Sequence, residues 1–220
     1  MRTSIEVRVR QTIAELPPHV RLVAAAKTRT PDEIRAAIAG GVRIVGHNYV
    51  QEAKGAIEAL GRNAAECHMI GHLQRNKVKD AVRLFDLIQT VDSVRLAEKI
   101  DAEAGKIDRV MPVLIEINSA GESDKSGVLP EEASDLVHEI DGLRSIRIDG
   151  LMTMGPLTAD PEDVRPFFRT TKELFDRLAG LPGFAESMRV LSMGMSDSYP
   201  VAIEEGANMV RIGSALFGAR

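Results

Sequence analysis

Residues 20–41 read VRLVAAAKTRTPDEIRAAIAGG and contain one complete strand-to-helix unit. The apolar run 20–26 predicts a strand that is buried on both faces, as in a parallel sheet. Thr30-Pro31-Asp32-Glu33 has the features of a helix start: an N-cap hydroxyl, a proline at the first helical position and a capping-box carboxylate. Gly40-Gly41 predicts the end of that helix.

The same alternation continues to the end of the chain. Pro130 and Asp160-Pro161 open two further helical patterns, and Pro166 inside the second pattern predicts a kink or a late helix start. The eight predicted strands are 20–26, 42–46, 66–70, 85–90, 109–117, 146–152, 188–193 and 208–212.

Eight strands that alternate with helices predict an α/β fold, a (β/α)8 TIM barrel. The chain has 220 residues, and such barrels need at least about 200. An open doubly wound sheet is the alternative, but no Gly-x-Gly-x-x-Gly follows the first strand. The amphipathic stretch 4–15 predicts an extra N-terminal helix, and residues 1–220 read as a single barrel domain.

The composition excludes several classes of protein. Hydrophobic residues make up 44% of the chain and charged residues 27%, which is ordinary for a globular protein and unlike a disordered one. No apolar run is long enough to span a membrane. The net charge is −4 and the sequence contains no block of basic residues, so we expect no nucleic-acid partner. The single cysteine, Cys67, is typical of a protein in a reducing cytoplasm. We expect a monomer, because the chain is a small barrel without a second domain.

Two basic residues stand out at strand ends, where barrels of this type place their chemistry. Lys27 directly follows the first apolar strand. It is either a solvated lysine or an amine that forms a Schiff base with a carbonyl. Arg211 interrupts the last apolar strand and faces either a carboxylate inside the barrel or a ligand.

Two small polar turns follow strands seven and eight. They span Ser192 to Ser196 and Gly213-Ser214, and each leads into a helical segment. Backbone N–H groups and hydroxyls at such positions bind phosphate, although the same residues also form ordinary turns. An amine, a phosphate turn and an inward arginine together fit an aldehyde that carries a phosphate. Pyridoxal 5'-phosphate (PLP) has these features.

Other candidate ligands are weaker. His68 and His72 are four residues apart, but they fall on a strand and a loop instead of one helix face, so we do not expect a metal site. The methionines are expected to fill the core, and four of them near strand ends are expected at the barrel mouth: Met152, Met154, Met193 and Met195.

The ordered motifs resemble those of the pyridoxal phosphate homeostasis proteins, which are single-domain, PLP-binding relatives of the alanine racemase barrel. The resemblance covers residue 20 to the last residue. It rests on AAKT (25–28), GHNYVQE (46–52), HMIGHLQRNK (68–77), KSG (125–127), LSMGMSD (191–197) and RIGSALFGAR (211–220).

The resemblance implies a role for each site residue. Lys27 would carry PLP as a Schiff base, and Arg211 would face the pyridine nitrogen. Asn48 would lie beside the cofactor, and the phosphate would be held by Ser192, Gly213 and Ser214, with Met193 in the same segment. An arginine at the ring nitrogen leaves the ring a weak electron sink. His47 departs from the family, which usually has an acid at this position.

Two classes of function follow. The resemblance implies a protein that binds PLP and supplies it to apo PLP enzymes without robust catalysis of its own. The alternative is a PLP-dependent amino-acid racemase, although the second domain that completes alanine racemase is absent from this chain. A lysine aldolase without a cofactor is a weaker alternative.

Overall fold

The computed structural model describes residues 4–156, 158 and 160–218. Within these residues, eight parallel strands pair in chain order and close into a barrel, with β1 beside β8. The strands are β1 (Arg21–Ala25), β2 (Ile44–His47), β3 (Glu66–Met69), β4 (Leu87–Val91), β5 (Met111–Ile117), β6 (Ile146–Thr153), β7 (Val190–Ser192) and β8 (Met209–Ile212). The prediction of a (β/α)8 barrel is confirmed.

Helices cover the outside of the barrel. They are α1 (Ile5–Glu15), α2 (Pro31–Ala39), α3 (Val50–Leu60), α4 (Val78–Leu84), α5 (Val94–Gly105), α6 (Ala133–Ile140), α7 (Arg165–Ala179), α8 (Tyr199–Glu204) and α9 (Ser214–Phe217). Short 3-10 turns at Arg75–Lys77 and Pro161–Val164 precede α4 and α7. Among the described residues, none of these helices is long and apolar enough to cross a membrane.

The local signals at helix starts act largely as predicted. The Thr30 hydroxyl accepts from the Glu33 N–H, and the Glu33 carboxylate accepts from the Thr30 N–H, so the capping box of α2 is complete. Pro166 lies in the first turn of α7, after the 3-10 turn, which confirms a late start. The helix expected at Pro130 begins instead at Ala133, after a turn.

The predicted N-terminal helix is confirmed as α1, which Ser4 caps through the Val7 N–H. It packs on α2 through a close approach at Gly40, where a Cβ atom would lie 2.8 Å from the Val9 Cβ and 2.9 Å from the Glu6 carbonyl oxygen. Any larger residue at Gly40 would therefore push the two helices apart.

The core has two layers. Cys67 and Met193 belong to the layer between the strands and the helices. The barrel interior is aliphatic: Val23, Ile44, Ile70, Leu87, Leu114, Met152 and Met209, with the partly buried Val190 packed against them. Side chains alternate along a strand, so residues two positions from these also face inward. Five buried polar side chains occupy such positions, namely His68, Gln89, Glu116, Ser192 and Arg211.

Candidate functional site

Lys27 lies in the turn directly after β1, and its side chain is half-buried. The Ala26 N–H donates to the Gly46 carbonyl (2.9 Å), which places this turn beside the end of β2. Thr28 has φ +62°, a conformation rarely adopted by a β-branched residue. Its N–H donates to Glu52 Oε1 on α3 at 3.2 Å, so a carboxylate helps to hold the strained turn that carries Lys27.

Arg211 on β8 is 4% exposed and pairs in register with Val23 on β1. Its Nη1 donates to the carbonyl (2.9 Å) and the hydroxyl (2.8 Å) of Ser192, and its Nη2 donates to the Thr153 carbonyl at 2.8 Å. Burial lowers the pKa of Arg211 to about 10, so the guanidinium is charged at neutral pH. These bonds use three of the five N–H donors of an arginine.

Ser192 is fully buried inside the barrel and its hydroxyl is already engaged. The hydroxyl accepts from Arg211 and donates to Gln89 Oε1 at 2.7 Å. The expectation that Ser192 holds a phosphate does not fit this geometry, because its oxygen faces the arginine from within the barrel and not the polar turn that follows β7.

The turns after β7 and β8 meet at Ser196. The N–H groups of Gly213 and Ala215 both point to the Ser196 hydroxyl, at 3.2 and 3.4 Å. Gly213 is half-buried and Ser214 is exposed at the first position of α9. Gly194 has φ +92°, and a Cβ atom there would lie 2.6 Å from the Ala202 Cβ, so this turn requires glycine. Backbone donors and hydroxyls thus converge at the end of β8.

A cavity of about 350 Å³ opens at the mouth of the barrel on the side of β2 to β6. Asn48, Glu116, Thr153, Met154 and Met195 are among its lining residues. The structure therefore brings Asn48 to the mouth, whereas Lys27, Gly213 and Ser214 stand at the ends of β1 and β8.

The four methionines expected at the mouth divide into two pairs. Met154 and Met195 line the cavity, as expected. Met152 is buried inside the barrel below it. Met193 is fully buried on the helix side of β7, so the expectation that its side chain reaches the mouth is wrong. The physical reason is the alternation of β7, in which Ser192 faces inward and the next residue faces outward.

Glu116 on β5 is 7% exposed, and its Oε2 is buried without a hydrogen-bond partner among the described residues. Burial, together with the nearby charge of Asp92, raises the pKa of Glu116 to about 7, although the charge of Arg211 acts in the opposite direction. The mouth therefore contains a carboxyl group that changes charge near neutral pH.

The two histidines considered as metal ligands do not converge. His68 faces the barrel interior, where Gln89 Nε2 lies 3.0 Å from its Nδ1. His72 is exposed at the mouth, with its Nδ1 3.3 Å from the Ser126 hydroxyl.

Sequence reasoning missed four residues of this site: Glu52, Gln89, Glu116 and Ser196. Gln89 and Glu116 are single polar residues within apolar strands, and that signal was available. Ser196 was inside the segment chosen for its turn but was not selected. Glu52 contacts Thr28 across 24 residues of chain, and no local pattern reveals such a pairing.

Comparison with known proteins gives a consistent result. The family model described as alanine racemase, N-terminal domain, matches residues 3–220. A protein of Aquifex aeolicus named pyridoxal phosphate homeostasis protein is 44% identical over 200 residues, which cover 91% of this chain and 87% of that one. A protein of Synechocystis with the same name is 38% identical over 211 residues and 96% of each chain.

A solved structure is similar over nearly the whole chain. PipY from Synechococcus elongatus PCC7942, without PLP, has a TM-score of 0.90 at 33% identity and covers 98% of this chain and 100% of its own. The structure of PipY with PLP bound has a TM-score of 0.88 over the same shares. The resemblance seen in the motifs is thereby confirmed, except that Ala219 and Arg220 of the last motif lie outside the described residues. This chain belongs to the pyridoxal phosphate homeostasis protein family, and its residues 3–220 match the alanine racemase N-terminal domain.

Proposed function

We propose that this chain binds PLP at the mouth of the barrel and takes part in intracellular PLP homeostasis and supply. The observation that carries the proposal is the placement of Arg211: a buried guanidinium held by neutral groups, with N–H donors to spare, between the turn of Lys27 and the turns around Ser196. The names of the relatives and the PLP-bound structure of PipY support it.

The donor set fits each part of PLP. When bound, PLP supplies an aldehyde, whose carbonyl condenses with a primary amine to form an imine and release water. Lys27 is the amine at the end of β1, directly after an apolar strand, and Arg211 is a permanent donor for the ring nitrogen. Asn48 lines the mouth and follows β2, the strand that pairs with β1.

The phosphate would be held by backbone and hydroxyl groups at the end of β8. Gly213, Ser214 and Ser196 are the groups we assign to it, and the N–H of Gly213 already points to a polar oxygen. Charge-assisted bonds from several such donors hold an anion without a cationic side chain. We propose that Ser192 holds the Arg211 guanidinium and does not contact the phosphate. The Met193 side chain is buried under the helices, so Met193 would contact the cofactor only through its backbone.

Several features support supply of the cofactor over catalysis. Racemisation needs an acid–base group on each face of the substrate and exclusion of water. The Tyr199 hydroxyl lies 3.5 Å from Glu15 Oε2 on α1, and Tyr49 is 53% exposed at the start of α3. Neither tyrosine is among the residues that line the cavity at the mouth, where a second base would be needed. We propose that apo PLP enzymes are the acceptors.

We also propose that residues 1–220 form one domain, that the chain is a cytoplasmic monomer and that it has no nucleic-acid partner. One family model spans residues 3–220, which supports a single domain. Burial raises the pKa of Cys67 to about 11, and an unreactive buried thiol fits a reducing compartment.

The test of PLP binding is visible absorption by the purified protein that hydroxylamine abolishes. Incubation with an apo PLP enzyme should then restore the activity of that enzyme. Exchange of the α-proton of an amino acid in deuterated water, at about 1 per second or faster and dependent on Lys27, would establish the racemase alternative instead. Absence of visible absorption after PLP is added would contradict the proposal and favour an aldolase.

A further inference from the structure

We propose that Ser192, Gln89 and His68 form a buried chain of hydrogen bonds that positions the Arg211 guanidinium for the ligand. Gln89 is the central member, and its amide determines which group donates and which accepts in each hydrogen bond. The inference rests on the proposed function only in taking PLP as the ligand that Arg211 meets. The arrangement of Arg211 in the free protein can be tested without that ligand.

The hydrogen-bond chain crosses the barrel interior from β8 to β3. Ser192 Oγ lies 2.8 Å from Arg211 Nη1 and 2.7 Å from Gln89 Oε1. On the other side of the same amide, Gln89 Nε2 lies 3.0 Å from His68 Nδ1. The chain then leaves the interior: His68 Nε2 is 3.4 Å from Glu66 Oε2, which also pairs with Arg21 near the N-terminal ends of the strands.

Each bond in this chain has a defined direction. Arginine can only donate, so the Ser192 oxygen accepts from Arg211 and its single proton is available for Gln89 Oε1. That bond turns the Gln89 NH2 group toward His68. The Nδ1 of His68 must therefore accept, which places the imidazole proton on Nε2, where it points to Glu66.

The hydrogen-bond chain also leaves none of its buried polar atoms without a partner. His68, Gln89 and Ser192 are each at most 1% exposed, in an interior that is otherwise aliphatic. The buried polar atoms without partners among the described residues lie elsewhere, on His47, Glu52 and Glu116. A buried network stabilises one arrangement only when every member is satisfied, as it is here.

The arrangement that it stabilises concerns Arg211 and a competing carboxylate. Glu116 is the acid whose charge acts on Arg211. A guanidinium free to turn would be drawn toward that acid, because in a buried site two opposite charges attract each other more strongly than a charge attracts a neutral oxygen. The hydrogen bonds to Ser192 hold Nη1 in its place and so prevent the guanidinium from turning toward Glu116. Gln89 in turn holds the Ser192 hydroxyl through its Oε1.

Three variants test the chain. Gln89→Leu removes the amide contacts with Ser192 and His68, together with a third contact from Nε2 to the Met209 sulfur at 3.3 Å. His68→Leu removes the acceptor for Gln89 Nε2, whereas His68→Asn keeps a side-chain oxygen near the position of Nδ1; both remove the contact with Glu66. Thr171→Val is the matched control, since it deletes a fully buried hydroxyl that donates to the Phe167 carbonyl on α7 (2.9 Å), outside the chain.

The first measurement is nitrogen NMR of the Arg211 guanidinium in the protein without PLP, assigned with Arg211→Lys. We expect resolved Nη protons that exchange slowly in the unmodified protein and in Thr171→Val. They should exchange at least about tenfold faster in Gln89→Leu and His68→Leu, as for the loss of one bond to a charged group. His68→Asn should restore most of the protection.

The second measurement is the affinity for PLP and the absorption maximum of the loaded protein. Gln89→Leu and His68→Leu should bind PLP about tenfold more weakly with a shifted maximum, and His68→Asn should resemble the unmodified protein. Unchanged Arg211 exchange in both leucine variants would overturn the inference, as would His68→Asn behaving like His68→Leu. Failure of the unmodified protein to absorb with PLP would contradict the proposed function alone.

Discussion

Replacing Glu116 by glutamine should stabilise the fold at alkaline pH. The carboxyl of Glu116 has an ordinary pKa of 4.5 in the unfolded chain, and burial raises the pKa in the fold to about 7. Between these values the folded protein binds a proton that the unfolded chain has lost. Stability therefore falls as the pH rises from 4.5 to 7. Glutamine has nearly the same shape and no charge, so it removes this loss.

The magnitude follows from the difference between the two pKa values. One pKa unit corresponds to about 1.4 kcal/mol, so a group that moves from 4.5 to about 7 costs the fold about 3 kcal/mol at pH 8. The group is only 7% exposed, so screening by solvent reduces this cost little. The gain of Glu116→Gln over the unmodified protein should be close to zero at pH 4.5.

The assay is urea unfolding of both proteins without PLP, followed by far-UV circular dichroism at pH 4.5, 6 and 8. Glu131→Gln, at an exposed position before α6, controls for loss of a surface charge. We expect the stability difference to grow with pH for Glu116→Gln and to stay constant for Glu131→Gln. A difference that does not change with pH would refute the reasoning, because Glu116 would then be ionised in the fold through its attraction to Arg211.

Three further results are expected. Borohydride reduction of the PLP-loaded protein should fix a pyridoxyl group on Lys27, and peptide mapping that finds it mainly on Lys125, which lines the cavity, would contradict the assignment. Pyridoxal without phosphate should bind at least about tenfold more weakly than PLP, and replacing Ser196 and Ser214 together by alanine should reduce that preference; equal affinities in the unmodified protein would exclude the phosphate site. Burial lowers the pKa of His47 to about 4, so acidification below 6.5 protonates the unfolded chain first and should cost about 2 kcal/mol at pH 5. His47→Leu should lose less stability than the unmodified protein between pH 7 and pH 5 in urea titrations, and parallel curves would show that His47 is protonated in the fold.

The barrel could be predicted from the sequence because its signals are local. An apolar run such as 20–26 reports burial on both faces, and the Thr30-Pro31-Asp32-Glu33 segment reports a helix start within four residues. The start of α6 was misplaced by three residues because Pro130 fits a turn as well as a first helical position.

The orientation of side chains at the site was harder to predict. Adjacent residues on a strand face opposite sides, and nothing local in LSM (191–193) states which side is the interior. Ser192 therefore points to Arg211 instead of the phosphate turns, and Met193 packs under the helices. Long-range pairs such as Thr28 with Glu52 depend on the closed barrel and have no trace in a linear pattern.

Arg211 and Lys27, the two basic groups that we assign to the cofactor, are held in different ways. This difference helps to decide whether the protein supplies the cofactor or uses it in catalysis. Arg211 is fully enclosed, with Ser192 and Thr153 fixing the guanidinium through neutral oxygens. Lys27 is half-buried in a turn whose next residue, Thr28, is strained and contacts Glu52. Because the Lys27 side chain is only half-buried whereas Arg211 is enclosed, we expect water and competing amines to reach the Lys27 nitrogen more easily than they reach the guanidinium. Under the proposed function, such a site would bind PLP through Arg211 and the polar turns and would still release it to an acceptor, because the anchor that we propose at Lys27 is the more exposed of the two groups.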